Sequence, residues 1–142
     1  MNFCQLQSAY RVGHSTETAL LRLLDDVYQN IDCKLPTVIV GLDISAAFDM
    51  VNHCTLLDRL QNEFGIDGKV LAWLRSYMTS RQQFVKIGQH SSSSTTCQCG
   101  VPQGSVLGPL LFAVYTVPIA DVVSSFGVQF HQFADANLLG FV

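Results

Sequence analysis

A mixed α/β fold, with helices packed on one side of an antiparallel sheet, is what this sequence predicts. Three patterns carry that expectation. Apolar residues return at helical spacing in four stretches, one short β-branched run is apolar on both faces, and two late pairs of segments read as hairpins. The order is helix, strand, two helices, hairpin, helix, hairpin, with no internal repeat.

Ser15 is a suitable N-cap for the first helix, and Glu17 favours the positive end of its dipole. Ala19, Leu20, Leu23, Leu24, Val27 and Ile31 then predict a buried-face helix over roughly residues 16–31. After Pro36, the run from Thr37 to Leu42 is apolar on both faces, which places it in the middle of a covered sheet. It leads straight into Asp43. Beyond Asn52, Leu56, Leu57, Leu60 and Phe64 mark a second helix, stopped by Gly65. Asp67 can cap a third, carrying Val70, Leu71, Leu74, Tyr77 and Met78, with Trp73 beside the stripe. Gln83 to Ile87 alternates like a half-exposed strand, with Thr95 to Cys99 as its returning partner across the serine-rich turn. Ser105 can cap a fourth helix through Leu107, Leu110, Leu111, Val114 and Tyr115, with Pro109 tolerated in its first turn. Finally, Val128 to Phe133 and Asn137 to Val142 read as a hairpin turning at Asp135-Ala136.

Composition narrows the function classes. At 142 residues the chain is one ordinary domain or a piece of a larger one. Charged residues make up 13%, against about 25% in an average soluble chain. That excludes disorder, and a net charge of −3 with pI near 5.7 excludes a free-standing basic nucleic-acid module. A mean hydropathy of +0.29 suits a membrane chain or the core of something larger. The longest uncharged stretch, between Lys86 and Asp121, holds four consecutive serines and three prolines, which no spanning helix accommodates, so the second reading is expected. Residues 1–5 lack the basic start and apolar core of a signal peptide. Five cysteines without CxxC spacing read as free thiols in a reducing, intracellular compartment, nucleus or cytoplasm. Cys97 and Cys99 with His90 and His131 match no common zinc spacing.

Two acids stand at revealing places. Asp43 closes a strand and Asp135 sits at a hairpin tip; if the strands are neighbours, both carboxylates emerge at one end of the sheet. Such a pair can hold Mg²⁺ through hard oxygens, and two ions about 4 Å apart can drive phosphoryl transfer. Either Asp alone reads equally as a turn or cap residue. Asp49 is expected to cap the segment that follows it. Arg75, Arg81 and Lys86 flank the middle hairpin and suit either nucleic acid or a solvated face.

Residues 42–53, LDISAAFDMVNH, resemble the first catalytic motif of reverse transcriptases encoded by non-LTR retrotransposons. Residues 100–109, GVPQGSVLGP, resemble the second, and Phe133-Ala134-Asp135-Ala136 the third, which in the family reads aromatic-Ala-Asp-Asp. Residues 7–20, QSAYRVGHSTETAL, are similar to a fingers segment of the same enzymes.

That resemblance implies a partial polymerase with fingers-like parts at 1–36 and roughly 53–98, and palm-like parts at 37–52 and roughly 99–142. It implies Asp43 and Asp135 as catalytic ligands of two Mg²⁺ (or Mn²⁺) ions. Phe48 would exclude a 2′-hydroxyl by bulk, although without the motif it reads as a core residue. Gln103 and Gly104 would line the nucleotide pocket, near the positive end of a helix starting at Ser105, and Arg11 would reach the triphosphate, or else lie solvated at the surface. RNA template, DNA primer, deoxynucleotide triphosphates and the missing polymerase segments are the implied partners. Two departures point to impaired activity: Ala136 replaces the second acid of the third motif, and the thumb and accompanying endonuclease are absent. A non-catalytic remnant or interaction module, or a small metal-dependent phosphohydrolase using the same two acids, are the rival readings.

Overall fold

The structure, a computed structural model, describes residues 7–141. The chain forms two compact units, one built from the segments up to Ala47 and from Thr116 onward, the other from Phe48 to Tyr115.

The first unit contains α1 (Thr16–Asp32), β1 (Val38–Asp43), and, from the far end of the sequence, β6 (Gln129–Phe133) and β7 (Ala136–Phe141). Its sheet is antiparallel in the order β1-β7-β6, with registers running from Val38↔Phe141 to Asp43↔Ala136 and from Gln129↔Gly140 to Phe133↔Ala136. Ser15 caps α1 through a reciprocal box: its Oγ accepts from Thr18 N at 3.3 Å, and Thr18 Oγ1 accepts from Ser15 N at 2.8 Å. The helix lies on β6, where Asp26 Oδ2 meets His131 Nε2 at 2.6 Å.

Three expectations about this unit need correcting. The α1 face turned to the sheet runs through Ala19, Leu23, Asp26, Val27 and Asn30, so Leu20, Leu24 and Ile31 are exposed. Each helical residue turns by about 100°. The Asp26–His131 pair therefore selects a stripe one position round from the apolar one. β1 sits at an edge rather than in the middle, with Val38 and Leu42 about half exposed at 58% and 49%; its β-branched composition specifies a strand, while its neighbours are set by distant residues. The last turn is Ala134-Asp135, so Ala136 is already paired in β7. Ala134 has φ +55, the left-handed conformation a two-residue turn demands. Gln7 Oε1 accepts from both Ala9 N (2.9 Å) and Ala134 N (3.1 Å), while Gln132 Nε2 donates to Ala134 O at 3.2 Å, which pins that turn in place.

The second unit contains α2 (His53–Asn62), α3 (Gly68–Met78), four two-residue strands and the start of α4 (Gly108–Ser124), which continues into the first unit. Asn52, not Asp49, caps α2, accepting from Thr55 N at 3.0 Å. Leu56, Leu57 and Leu60 of α2 are buried along with Leu71, Leu74 and Met78 of α3. Asp67 stands at the N-cap of α3 without a capping bond. The Arg59 guanidinium donates to the Tyr115 carbonyl and lies over the Tyr115 ring, tying α2 to α4. The middle hairpin is shorter than its alternation predicts. β2 (Gln82–Gln83) pairs with β5 (Thr95–Thr96) and β3 (Lys86–Ile87) with β4 (His90–Ser91), while Phe84 and Val85 leave the ladder. With all four strands exposed, no buried face enforces a continuous register. Leu111, Phe112, Ala113 and Val114 are consecutive and all buried, as in a helix enclosed on every side. Among the described residues no helix is long and apolar enough to cross a membrane.

Candidate active site

In the first unit, the register brings the two predicted acids to one end of the sheet. Asp43 is the last residue of β1 and pairs with Ala136; Asp135 immediately precedes Ala136 in the turn. Ladder partners have Cα atoms about 5 Å apart and consecutive Cα atoms lie about 3.8 Å apart, so the Cα atoms of the two acids are within about 9 Å. Asp43 is exposed and Asp135 half-buried. The Tyr10 hydroxyl titrates above its ordinary value, first because it is partly desolvated and second because Asp135 is anionic beside it. Arg11 donates from Nη1 to Gln7 O at 3.1 Å, on the segment whose Ser8 N donates to Gln132 O at 2.9 Å. Arg11 therefore belongs to the strand edge that leads into the Asp135 turn.

The donor set suits a hard divalent cation. Mg²⁺ is commonly held by one or two carboxylates, with water and phosphate oxygens completing its shell. Asp43 and Asp135 supply two such groups. Among the described residues no group of three or more His, Cys, Asp or Glu side chains is placed to hold an ion. The position directly opposite Asp43, whose side chain shares its face of the sheet, is Ala136.

In the second unit, the other candidates gather around the turn that opens at Gly100. Phe48 is half-buried, its ring stacked on Phe112 with centroids 4.9 Å apart. Its carbonyl accepts from Val101 N at 2.8 Å, and Val51 O accepts from Gly100 N at 2.8 Å, so the two motif segments are stitched backbone to backbone. Gly100 has φ +86, and a Cβ there would lie 2.9 Å from Asp49 O. Only glycine fits. Gln103 Nε2 approaches both carboxylate oxygens of Asp49 at 3.4 Å. Gly104 has φ +75 and open space around it, so its requirement is conformational. Ser105 Oγ accepts from Gly108 N at 3.0 Å, and α4 begins at Gly108, three residues later than the sequence suggests. A groove of about 760 Å³ runs past this turn, lined by Asp49, Arg81, Cys97, Gln98 and Gln103 among others.

Arg81 is half-buried in this groove, and its guanidinium is engaged by backbone carbonyls. It donates from Nε to Met78 O at 3.0 Å and from Nη2 to Gly100 O at 2.5 Å. Sequence reasoning also missed Asp49 as the neighbour of Gln103, and His53, which is buried with Nε2 2.8 Å from Gly100 O. His53 closes the first motif as quoted, and that placement was the available signal.

Comparison with known proteins gives a consistent result. The sequence profile of the family described as "Reverse transcriptase (RNA-dependent DNA polymerase)" matches residues 1–141. The "Probable RNA-directed DNA polymerase from transposon BS" of Drosophila melanogaster is 35% identical over 113 residues, 80% of this chain and 12% of that protein. The corresponding protein from transposon X-element, also of Drosophila melanogaster, is 35% identical over 118 residues, 82% of this chain and 13% of its own length. This chain thus spans about an eighth of these curated relatives. In fold it is similar to an apo telomerase from Candida tropicalis, with a TM-score of 0.71 at 14% identity over 95% of this chain and 29% of that one. A Candida albicans telomerase solved with a fragment of telomeric RNA gives 0.72 at 13% identity, covering 95% and 27% of the two chains.

Proposed function

This chain belongs to the reverse transcriptase (RNA-dependent DNA polymerase) family, alongside polymerases of non-LTR retrotransposons, and from that premise we propose that it carries nucleotide-adding machinery of an RNA-directed DNA polymerase. The reaction is attack of a primer 3′-hydroxyl on the α-phosphate of a deoxynucleotide triphosphate, with pyrophosphate leaving and an RNA strand as template. One observation carries the reading: the register Asp43↔Ala136, with Asp135 in the adjoining turn, collects two carboxylates at one sheet end.

Asp43 and Asp135 are the residues that would hold Mg²⁺ or Mn²⁺. Ions held there would supply Lewis-acid activation of the attacking hydroxyl and neutralise charge on the leaving oxygen. Phe48 presents a flat ring backed by Phe112 and leaves no room for a 2′-hydroxyl. Gln103 and Gly104 seat the nucleotide, and the planar cation of Arg11 suits triphosphate oxygens. In this assignment the palm-like residues are 37–52 and roughly 99–142, and the fingers-like residues are 1–36 and roughly 53–98. Two carboxylates attract divalent ions less strongly than three, so Ala136 leaves this chain impaired or inactive in nucleotide addition.

The test is primer extension on an RNA template with Mg²⁺, alongside Mg²⁺ titration by calorimetry, for the chain, Ala136→Asp and Asp43→Asn. Ala136→Asp should raise extension at least about tenfold, in line with what one transition-state electrostatic group supplies. Asp43→Asn should abolish both extension and ion binding. Equal extension with Ala or Asp at 136, or ion binding that survives Asp43→Asn, would sink the assignment.

A further inference from the structure

We infer that Arg81 and His53 are a positioning pair that sets the orientation of Phe48 through a single peptide plane, and thereby tunes discrimination between deoxyribose and ribose; the inference rests on Phe48 meeting the sugar, as proposed above.

The Gly100 carbonyl and the Val101 N–H belong to one rigid trans peptide group and point in opposite directions. On the oxygen side, Arg81 Nη2 (2.5 Å) and His53 Nε2 (2.8 Å) both meet Gly100 O. A carbonyl only accepts, so His53 carries its proton on Nε2. On the nitrogen side, Val101 N donates to Phe48 O at 2.8 Å. Any rotation of the peptide that releases the two side chains also breaks the bond to Phe48. Donors on a carbonyl polarise its peptide and strengthen the N–H at the other end.

Both side chains are themselves fixed. His53 is buried at the first position of α2, and Arg81 also donates from Nε to Met78 O, the last residue of α3. The clamp therefore references the Gly100 turn to the ends of two packed helices. No side chain can be added at Gly100, because a Cβ there would lie 2.9 Å from Asp49 O and 3.1 Å from Phe48 O. Gln103, on the same loop, reaches Asp49, the residue after Phe48. What Arg81 and His53 hold is thus the ring that would read the sugar, together with the loop beside it. Neither side chain needs to touch nucleotide.

The experiment has two arms, run on the intact chain, Arg81→Gln, Arg81→Lys and His53→Gln. The first arm needs no nucleotide: backbone amide hydrogen exchange, read residue by residue. Arg81→Gln should speed exchange at Val101 and Gly100 about tenfold or more, the expected effect of losing a hydrogen bond from a charged donor, while buried α2 amides keep their protection. Arg81→Lys and His53→Gln, which keep a donor and serve as the milder variants should Arg81→Gln unfold, should give smaller, local effects. The second arm measures the ratio of ribonucleotide to deoxynucleotide triphosphate Kd with Mg²⁺. It should fall several-fold in Arg81→Gln, with deoxynucleotide affinity changing less. Unchanged Val101 exchange, or released exchange with an unchanged sugar ratio, would overturn the inference, as would equal weakening for both sugars. A wild-type chain without sugar preference would instead refute the role given to Phe48, leaving the exchange arm to judge the clamp.

Discussion

The two turns that carry the candidate residues solve the same backbone problem by opposite means. At Gly100 the chain takes φ +86 with no side chain, because the backbone of Phe48 and Asp49 fills the space a Cβ would occupy. At Ala134 it takes φ +55 while carrying a methyl group. The Gly100 turn is held by a guanidinium and an imidazole, the Ala134 turn by the neutral amides of Gln7 and Gln132. One turn is determined by exclusion and the other by hydrogen bonds that over-determine a mildly strained conformation. Sterically locked backbone tolerates no change, whereas hydrogen-bonded strain can be relieved.

Five substitutions break or sharpen that contrast, beginning with the largest expected effect and its control. Gly100→Ala should cost about 3 kcal/mol in denaturant unfolding, since strain at positive φ adds to a clash with backbone that cannot move; Gly104→Ala, with open space, should cost only about 1 kcal/mol. Similar losses at both sites would show that the Asp49 contact is unimportant. Gln7→Leu should cost about 2 kcal/mol by stranding the buried amides of Ala9 and Ala134, and exchange at Ala134 should rise with it. Ala134→Gly should be neutral or stabilising by less than about 1 kcal/mol, because relieved strain is partly offset by the flexibility of unfolded glycine. A clear loss would mean that the methyl group packs rather than strains. The smallest effect concerns Tyr10. Its raised pKa means that the native state keeps the phenolic proton longer than the unfolded chain, so stability declines as pH climbs through the ordinary tyrosine range. Asp135→Asn should move that titration part of the way back in an ultraviolet pH titration, since burial remains the larger cause.

What was legible in the sequence was periodicity. The helical stripe placed α1 over 16–31 against an observed Thr16–Asp32, and the late alternation found both strands of the terminal hairpin. Facing was not legible, because a helix with apolar residues over a wide arc can dock on several stripes, and a polar pair decided which one met the sheet. The edge position of β1 and the fragmentation of the middle hairpin were hidden for a related reason: strand neighbours and ladder length depend on partners far along the chain. In the candidate site, strand-end and turn positions pointed to Asp43 and Asp135, and only the family resemblance pointed to Phe48 and Gln103. Both were silent on His53 and Gln103 as partners of Gly100 and Asp49, 47 and 54 residues away respectively. Contacts at that range leave no local pattern.

The pairing of Ala136 with Asp43 has a consequence written in the genetic code. Alanine and aspartate codons ending in a pyrimidine differ only at their middle base, so a lone transversion at this codon would hand the sheet a new carboxylate facing Asp43. The rung that would receive it is already built, with Phe133 on its other flank.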